Sequence, residues 1–239
     1  MQIEDSVVVI KGASSGIGAA TARAASRAGA RLVLAARREE RVRALADELG
    51  RAVAVRCDVT DQAQVDSLAT AAMDAFGRID VLVNNAGQGL QATVEQLSPD
   101  DLRAVLELNL VAPLAMMRAV LPAMRRQGSG SIVNVSSGTT FADVPGTGGY
   151  VASKIALERL TAIARNELEG TGISVSTVIP FATSTEFIAS IRAGRADAEA
   201  MTAGAEFDPP ERVAEAILQV IRSGDARVDL VPVAYGGTR

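Results

Sequence analysis

Seven short runs of Val, Ile, Leu and Ala, spread along the chain between amphipathic stretches, constrain the fold more than any other feature. They are SVVVIKG (6–12), RLVLAA (31–36), AVAVRCD (52–58), IDVLVNN (79–85), SIVNVSS (131–137), ISVSTVIP (173–180) and ARVDLVP (226–232). Such near-continuous apolar runs read as strands buried on both faces. Their alternation with helical segments implies parallel strands joined by crossover helices. The expected architecture is α/β, a doubly wound parallel sheet flanked by helices, in a single domain over 1–239. With 48% hydrophobic residues the chain can fill one core, and with 3% aromatics that core must be aliphatic. Helices are read over about 16–28 and 38–49, with two longer ones near 99–126 and 150–169. Ser98, Pro99 and Asp101 resemble an N-cap, first-turn proline and capping-box set. The stretch 183–208, rich in Ala, Thr and Ser, is less regular and reads as a mobile substrate flap within the domain.

Absences narrow the chemistry. The net charge of −4 offers no basic surplus for nucleic acid or anionic membranes. No apolar run is read as approaching the roughly 18 residues that cross a bilayer. The acidic start leads straight into a strand, so no signal peptide is expected and the location is read as cytoplasmic. There is no histidine and Cys57 is the only cysteine, which excludes an intrachain disulfide, Cys/His zinc sites and His-dependent nucleophile pairs. No metal site is expected, and proton donors reduce to Tyr, Lys, Asp, Glu or water.

That elimination points to Tyr150 and Lys154. The chain has two tyrosines and only two lysines among 24 basic residues, yet one of each sits four apart. On a helix they share a face. An adjacent ammonium would lower a phenol pKa from its usual value near 10 toward neutral working pH. A compact ammonium suits a crowded site better than the planar fork of Arg. The bland alternative is a surface tyrosine beside a solvated lysine.

The first strand runs into KGASSGIG, which places Gly12, Gly16 and Gly18 around Ser14 and Ser15. A glycine turn opening a helix lets a pyrophosphate approach backbone N–H groups, although a turn with close helix–sheet packing needs the same residues. About twenty residues on, the acid that would accept ribose hydroxyls is missing. Ala35 and Ala36 are followed by Arg37 and Arg38. Arginine grips a 2′-phosphate that an acid would repel, so NADP(H) is expected over NAD(H), with Arg37 the first candidate. The alternative is two arginines opening a solvated helix.

Five elements in order, GASSGIG (12–18), NNAG (84–87), Asn109 in ELNL, VSS (135–137) and YVASK (150–154), resemble the short-chain dehydrogenase/reductase family. The resemblance spans nearly the whole chain. It implies a Rossmann-type fold with a seven-stranded parallel sheet, and hydride transfer between a nicotinamide and a small-molecule carbonyl or alcohol. It makes Tyr150 the acid/base, Lys154 its partner, Ser137 the substrate-oxygen ligand and Asn109 the holder of a proton-relay water. It further implies adenine contacts from Asp58 and Val59, and a ribose-lining segment of Asn85, Ala86 and Gly87. Ile17 would back the pyrophosphate turn, Pro180 would border the cofactor, and Thr183 and Thr185 would bond the carboxamide or phosphate. Tyr150 and Lys154 would also touch the cofactor.

Two positions depart from the family pattern: Lys11 stands where Thr is usual, and Phe181 follows Pro180 where Gly is usual. Gln88, Leu90, Thr139, Phe141, Val144, Phe181 and Phe187 form a mostly apolar candidate substrate pocket. A non-catalytic dinucleotide sensor, or an epimerase or dehydratase on the same fold, is the alternative reading. Apolar surface on the two long helices implies a homo-oligomer, a tetramer or else a dimer.

Overall fold

In the computed structural model, which describes residues 1–238, the Val-rich runs form one parallel seven-stranded sheet. The strands are β1 (Val7–Lys11), β2 (Arg31–Ala36), β3 (Ala52–Arg56), β4 (Val81–Asn84), β5 (Gly130–Val135), β6 (Ile173–Ile179) and β7 (Arg227–Asp229). Their order across the sheet is β3-β2-β1-β4-β5-β6-β7. The chain winds outward one way from β1, then returns to β4 and winds the other way. The loops after β1 and β4 therefore part at the carboxyl edge, where open α/β sheets bind ligands.

Alternate residues of each strand feed two separate cores. Val8, Ile10, Leu32 and Leu34 pack against α1 (Gly16–Arg27), α2 (Glu39–Leu49) and α8 (Pro210–Ser223). Val7, Val9, Val33 and Leu82 pack against α3 (Gln62–Phe76) and α5 (Ala112–Gln127). Each fully buried Val, Leu or Ile contributes roughly 1.5–3 kcal/mol, so the aliphatic runs that mark the strands also hold the sheet.

The helix α4 (Pro99–Leu106) and α5 form one rod of 29 residues, interrupted by a π-helical turn over Glu107–Val111. Ser98 caps its start, accepting from the backbone N–H groups of Asp100 and Asp101, both at 3.2 Å. Asp101 does not play the expected capping-box part; its carboxylate accepts from Arg192 Nε at 2.6 Å, a charge-assisted bond to the flap. The reading that no segment could span a bilayer needs amendment, because this rod is long and apolar enough by length and composition. Its buried face, through Met116, Val120 and Met124, covers the sheet.

Two other expectations shift. The last strand is three residues, not seven, and the chain beyond it turns over the carboxyl edge. The 183–208 flap contains a 3-10 turn (Ile188–Ser190) and the short helix α7 (Arg195–Met201), and it is fastened down. Gln91 N donates to Ala193 O at 3.0 Å, Arg192 N to Gly89 O at 3.0 Å, and Gln88 Nε2 to Ser190 O at 2.9 Å.

Candidate active site

A cleft of about 1150 Å³ opens between the β1 and β4 loops and runs beneath the flap. Its outer half is the glycine loop. Gly18 packs rather than lines the cleft: a Cβ there would collide with the carbonyl oxygen of Gly12, so only glycine lets α1 close on the loop. Gly16 has φ +51°, and Thr185 of the flap lies so near that a Cβ would come within 2.7 Å of it. Gly12, Ser14, Ser15, Gly16 and Ile17 face the cleft. Ser15 sits at the N-cap of α1 without a side-chain cap bond, so the first-turn N–H groups and the positive helix end are presented to the cleft.

Arg38, not Arg37, reaches this loop. Its Nε and Nη2 donate to Ser14 Oγ at 3.1 and 2.9 Å, and its Nη2 donates to Ser15 Oγ at 2.7 Å. Arg37 is exposed and lies within the field of Asp58. The Asp58 carboxylate accepts from Thr60 N and Oγ1, and Val59 lines the cleft beside it.

The two switch-point loops are tied together without the usual Thr. Asn85 Nδ2 donates to Gly12 O at 3.1 Å, and the backbone N–H groups of Asn85 and Ala86 donate to Lys11 O. The Lys11 side chain stays out of this tie: fully buried, it runs into the core, where Nζ donates to Leu108 O at 3.4 Å. Burial, with Lys154 nearby, pulls its pKa down to about 7.

The deep half of the cleft holds the proposed reacting groups. Tyr150 and Lys154 lie on α6 (Gly148–Glu167), one turn apart, 7% and 4% exposed. Lys154 Nζ donates to Val135 O at 3.0 Å and lies 5.9 Å from the centre of the Tyr150 ring. Burial lowers its pKa to about 8, while the charge of Glu158, one turn further along α6, acts the other way. The Tyr150 phenol does not show the lowering expected from its neighbour. Burial pushes it up to about 12, with a hydrogen bond to Ser137 pulling it back. Desolvation is the larger of the two influences, so the phenol keeps its proton at neutral pH.

Ser137 is the serine beside Tyr150, and its Oγ accepts from Thr139 N and Oγ1. Ser136 Oγ donates to Glu158 at 2.6 Å and is thereby committed elsewhere. Asn109, 1% exposed, sits in the π-helical turn. Its Oδ1 accepts from Gln88 N at 2.9 Å, and its Nδ2 donates to Gln88 O at 2.9 Å and Ser153 Oγ at 3.0 Å. The side chain therefore locks the β4 loop to α6. Gly87 lies against both Asn109 and Lys154.

At the substrate end, Leu90, Val144, Phe181 and Phe187 line the cleft with Gln88 and Thr139. Phe141 does not; its ring lies under the Arg227 guanidinium at 5.2 Å. Phe181 pairs with Tyr235 (ring centres 5.1 Å apart), so the chain's C-terminal turn closes this end. Phe187 stands 5.6 Å from the Tyr150 ring. Pro180 O accepts from Gly138 N at 2.7 Å, and Thr183 Oγ1 donates to Phe181 O at 2.7 Å.

Sequence reasoning missed Ser153, Glu158 and Tyr235, and with them Arg41 and Glu186, which line the outer cleft. Ser153 and Glu158 were findable, since they continue the helical face of Tyr150 and Lys154. Glu186 had no local signal.

The family model described as short chain dehydrogenase matches residues 6–196. An uncharacterized oxidoreductase of Staphylococcus saprophyticus is 39% identical over 188 residues, covering 77% of this chain and 76% of its own. A short-chain dehydrogenase/reductase of Burkholderia phymatum, solved with NAD, superposes with a TM-score of 0.93 at 27% identity, covering 99% and 92% of the two chains. An alcohol dehydrogenase of Thermococcus sibiricus, solved with 5-hydroxy-NADP, gives 0.83 at 29% identity over 95% and 96%. The chain belongs to the short-chain dehydrogenase/reductase family and is an oxidoreductase of that family.

Proposed function

We propose that the protein interconverts a carbonyl and an alcohol with NADP(H), using Tyr150 as the acid/base. The observation that carries this reading is the meeting of a buried phenol, the Ser137 hydroxyl and a buried ammonium at the closed end of a dinucleotide-sized cleft. The groups present fit such a cofactor: an uncapped helix N-terminus for the pyrophosphate, and an arginine at the glycine loop for a 2′-phosphate. The bound nicotinamide would supply or accept the hydride.

The chain's own residues do the rest. Ser137 and Tyr150 donate hydrogen bonds to the substrate oxygen and stabilise the charge that builds on it. Tyr150 then gives that oxygen its proton. Its high pKa keeps it loaded at neutral pH, which suits reduction; oxidation requires the phenolate and should quicken as pH rises. Lys154 stabilises that phenolate and returns the proton. Asn109 is a positioning residue, because its side chain is engaged with Gln88 and Ser153. The apolar lining of Leu90, Phe181 and Phe187 favours a neutral, moderately hydrophobic substrate.

The proposed assembly is a homo-oligomer in the cytoplasm. Val111 and Leu114 on the long rod, and Ile155 and Ile163 on α6, are 39–50% exposed. Such rows of apolar side chains on neighbouring helices suit burial against a second copy. The catalytic reading is tested with Tyr150→Phe, assayed against a panel of carbonyls with NADPH. Turnover should fall by about 10²–10⁴-fold with cofactor affinity nearly intact. Retention of more than about a tenth of the rate would remove Tyr150 from the chemistry.

A further inference from the structure

The arginines at the glycine loop already hold an anion, and it belongs to the chain itself. Arg38 Nη1 donates to Glu186 Oε2 at 2.6 Å, and Arg41 Nη1 donates to the two carboxylate oxygens of Glu186 at 2.7 and 2.9 Å. The other Arg38 nitrogens donate to the Ser14 and Ser15 hydroxyls. A carboxylate ringed by two guanidinium forks, with two hydroxyls alongside, sits in surroundings that would serve a phosphate monoester equally well. Glu186 arrives from the segment after β6, 148 residues away from Arg38 along the chain. Its neighbour Thr185 lies over Gly16. The contact thus fastens the base of the flap to the glycine loop, and Glu186 and both arginines line the cleft. Hydrogen bonds from Arg38 and Arg41 hold the Glu186 pKa down to about 2, so it stays ionised at physiological pH and protonation does not release it.

A phosphate and a carboxylate cannot share this seat, because both need the same donors and repel each other. We propose that Glu186 is an internal stand-in for the 2′-phosphate. In the free protein it occupies the phosphate's donors. A 2′-phosphorylated dinucleotide must displace it, whereas a dinucleotide with a free 2′-hydroxyl leaves it in place. Glu186 is then a specificity-determining residue that weakens NADPH binding selectively, and its displacement frees the flap base at 183–190. The inference rests on the reading that Arg38 binds the 2′-phosphate.

The test measures dissociation constants of NADPH and NADH, by cofactor fluorescence, for the wild-type protein, Glu186→Gln and Arg38→Ala. Glu186→Gln should tighten NADPH about 3- to 10-fold, the scale of losing a partly exposed ion-pair network, and leave NADH within about twofold. Hydrogen exchange at 183–190 should be faster with NADPH bound than with NADH bound in the wild type. Unchanged or weaker NADPH binding in Glu186→Gln overturns the inference, as does equal tightening of both cofactors. Arg38→Ala separates the two claims. If it lowers NADPH affinity selectively while Glu186→Gln has no effect, only the stand-in falls. If it leaves the NADPH-to-NADH ratio unchanged, the phosphate reading itself falls.

Discussion

At the deep end of the cleft Tyr150, Lys154 and Asn109 are at most 7% exposed and hang from two helices. At the outer end the side chains of Arg38, Arg41 and Glu186 are 44–50% exposed and meet across a loop and a flap. Both ends are polar, but they obey different electrostatics. Burial dominates the deep end, moving Tyr150 up to about 12 and Lys154 and Lys11 down to about 8 and 7. At the outer end partners dominate, so groups there keep their charge and can exchange one counterion for another. Chemistry that needs a proton held in a fixed place belongs in the first setting. Recognition that needs to make and break ion pairs belongs in the second.

The contrast is broken most severely at Asn109. Asn109→Ala leaves the Gln88 N–H, the Gln88 carbonyl and Ser153 without the amide, in a buried site. Unfolding free energy should drop by about 2–5 kcal/mol, read from urea denaturation, as several buried polar groups lose partners. Turnover should fall with it, because the β4 loop loses its hold on α6.

Lys11→Met should act in the opposite direction. Replacing a fully buried lysine by an apolar residue of similar length should stabilise the protein by about 1–4 kcal/mol near pH 7. The folded pKa of Lys11, about 7, lies well below the ordinary lysine value of 10.5, so the unfolded chain holds the extra proton between those limits. Wild-type stability should therefore rise with pH from about 7 towards 10, Lys154 adding in the same sense, and the variant should gain less over that range. Urea titrations at three pH values across the window check this. A parallel pH dependence in both proteins would deny Lys11 its shifted pKa.

At the outer end, Arg38→Ala should weaken NADPH binding roughly 10- to 100-fold and NADH binding little. Arg37→Ala should cost less, because it is Arg38 that bonds Ser14 and Ser15. A larger loss at Arg37 would return the 2′-phosphate to the first residue after β2. The smallest expected effect on the cleft comes from Ile155→Asp, whose side chain points away from it on α6 and is half exposed. Light scattering should show the assembly falling to smaller species, with a moderate loss of activity as α6 loses its brace. A wild-type protein that is already a fully active single subunit would end that proposal.

The local sequence determined much of this molecule. The aliphatic runs set the strands, because a strand buried on both faces must be apolar throughout. The GASSGIG turn, Ser98 as a cap, and Tyr150 with Lys154 on one face were legible for the same reason: each depends on residues within about one helical turn of one another. What depended on distant partners was decided only by the tertiary structure. The π-helical turn at Asn109 carries an amide that reaches Gln88 and Ser153, 21 and 44 residues away. That Arg38 rather than Arg37 bonds the glycine-loop serines followed from where α2 begins relative to that loop. The raised phenol of Tyr150 reflects burial, which no spacing expresses. Glu186 meets its arginines only because parallel strands bring the loops after β1, β2 and β6 to one edge of the sheet.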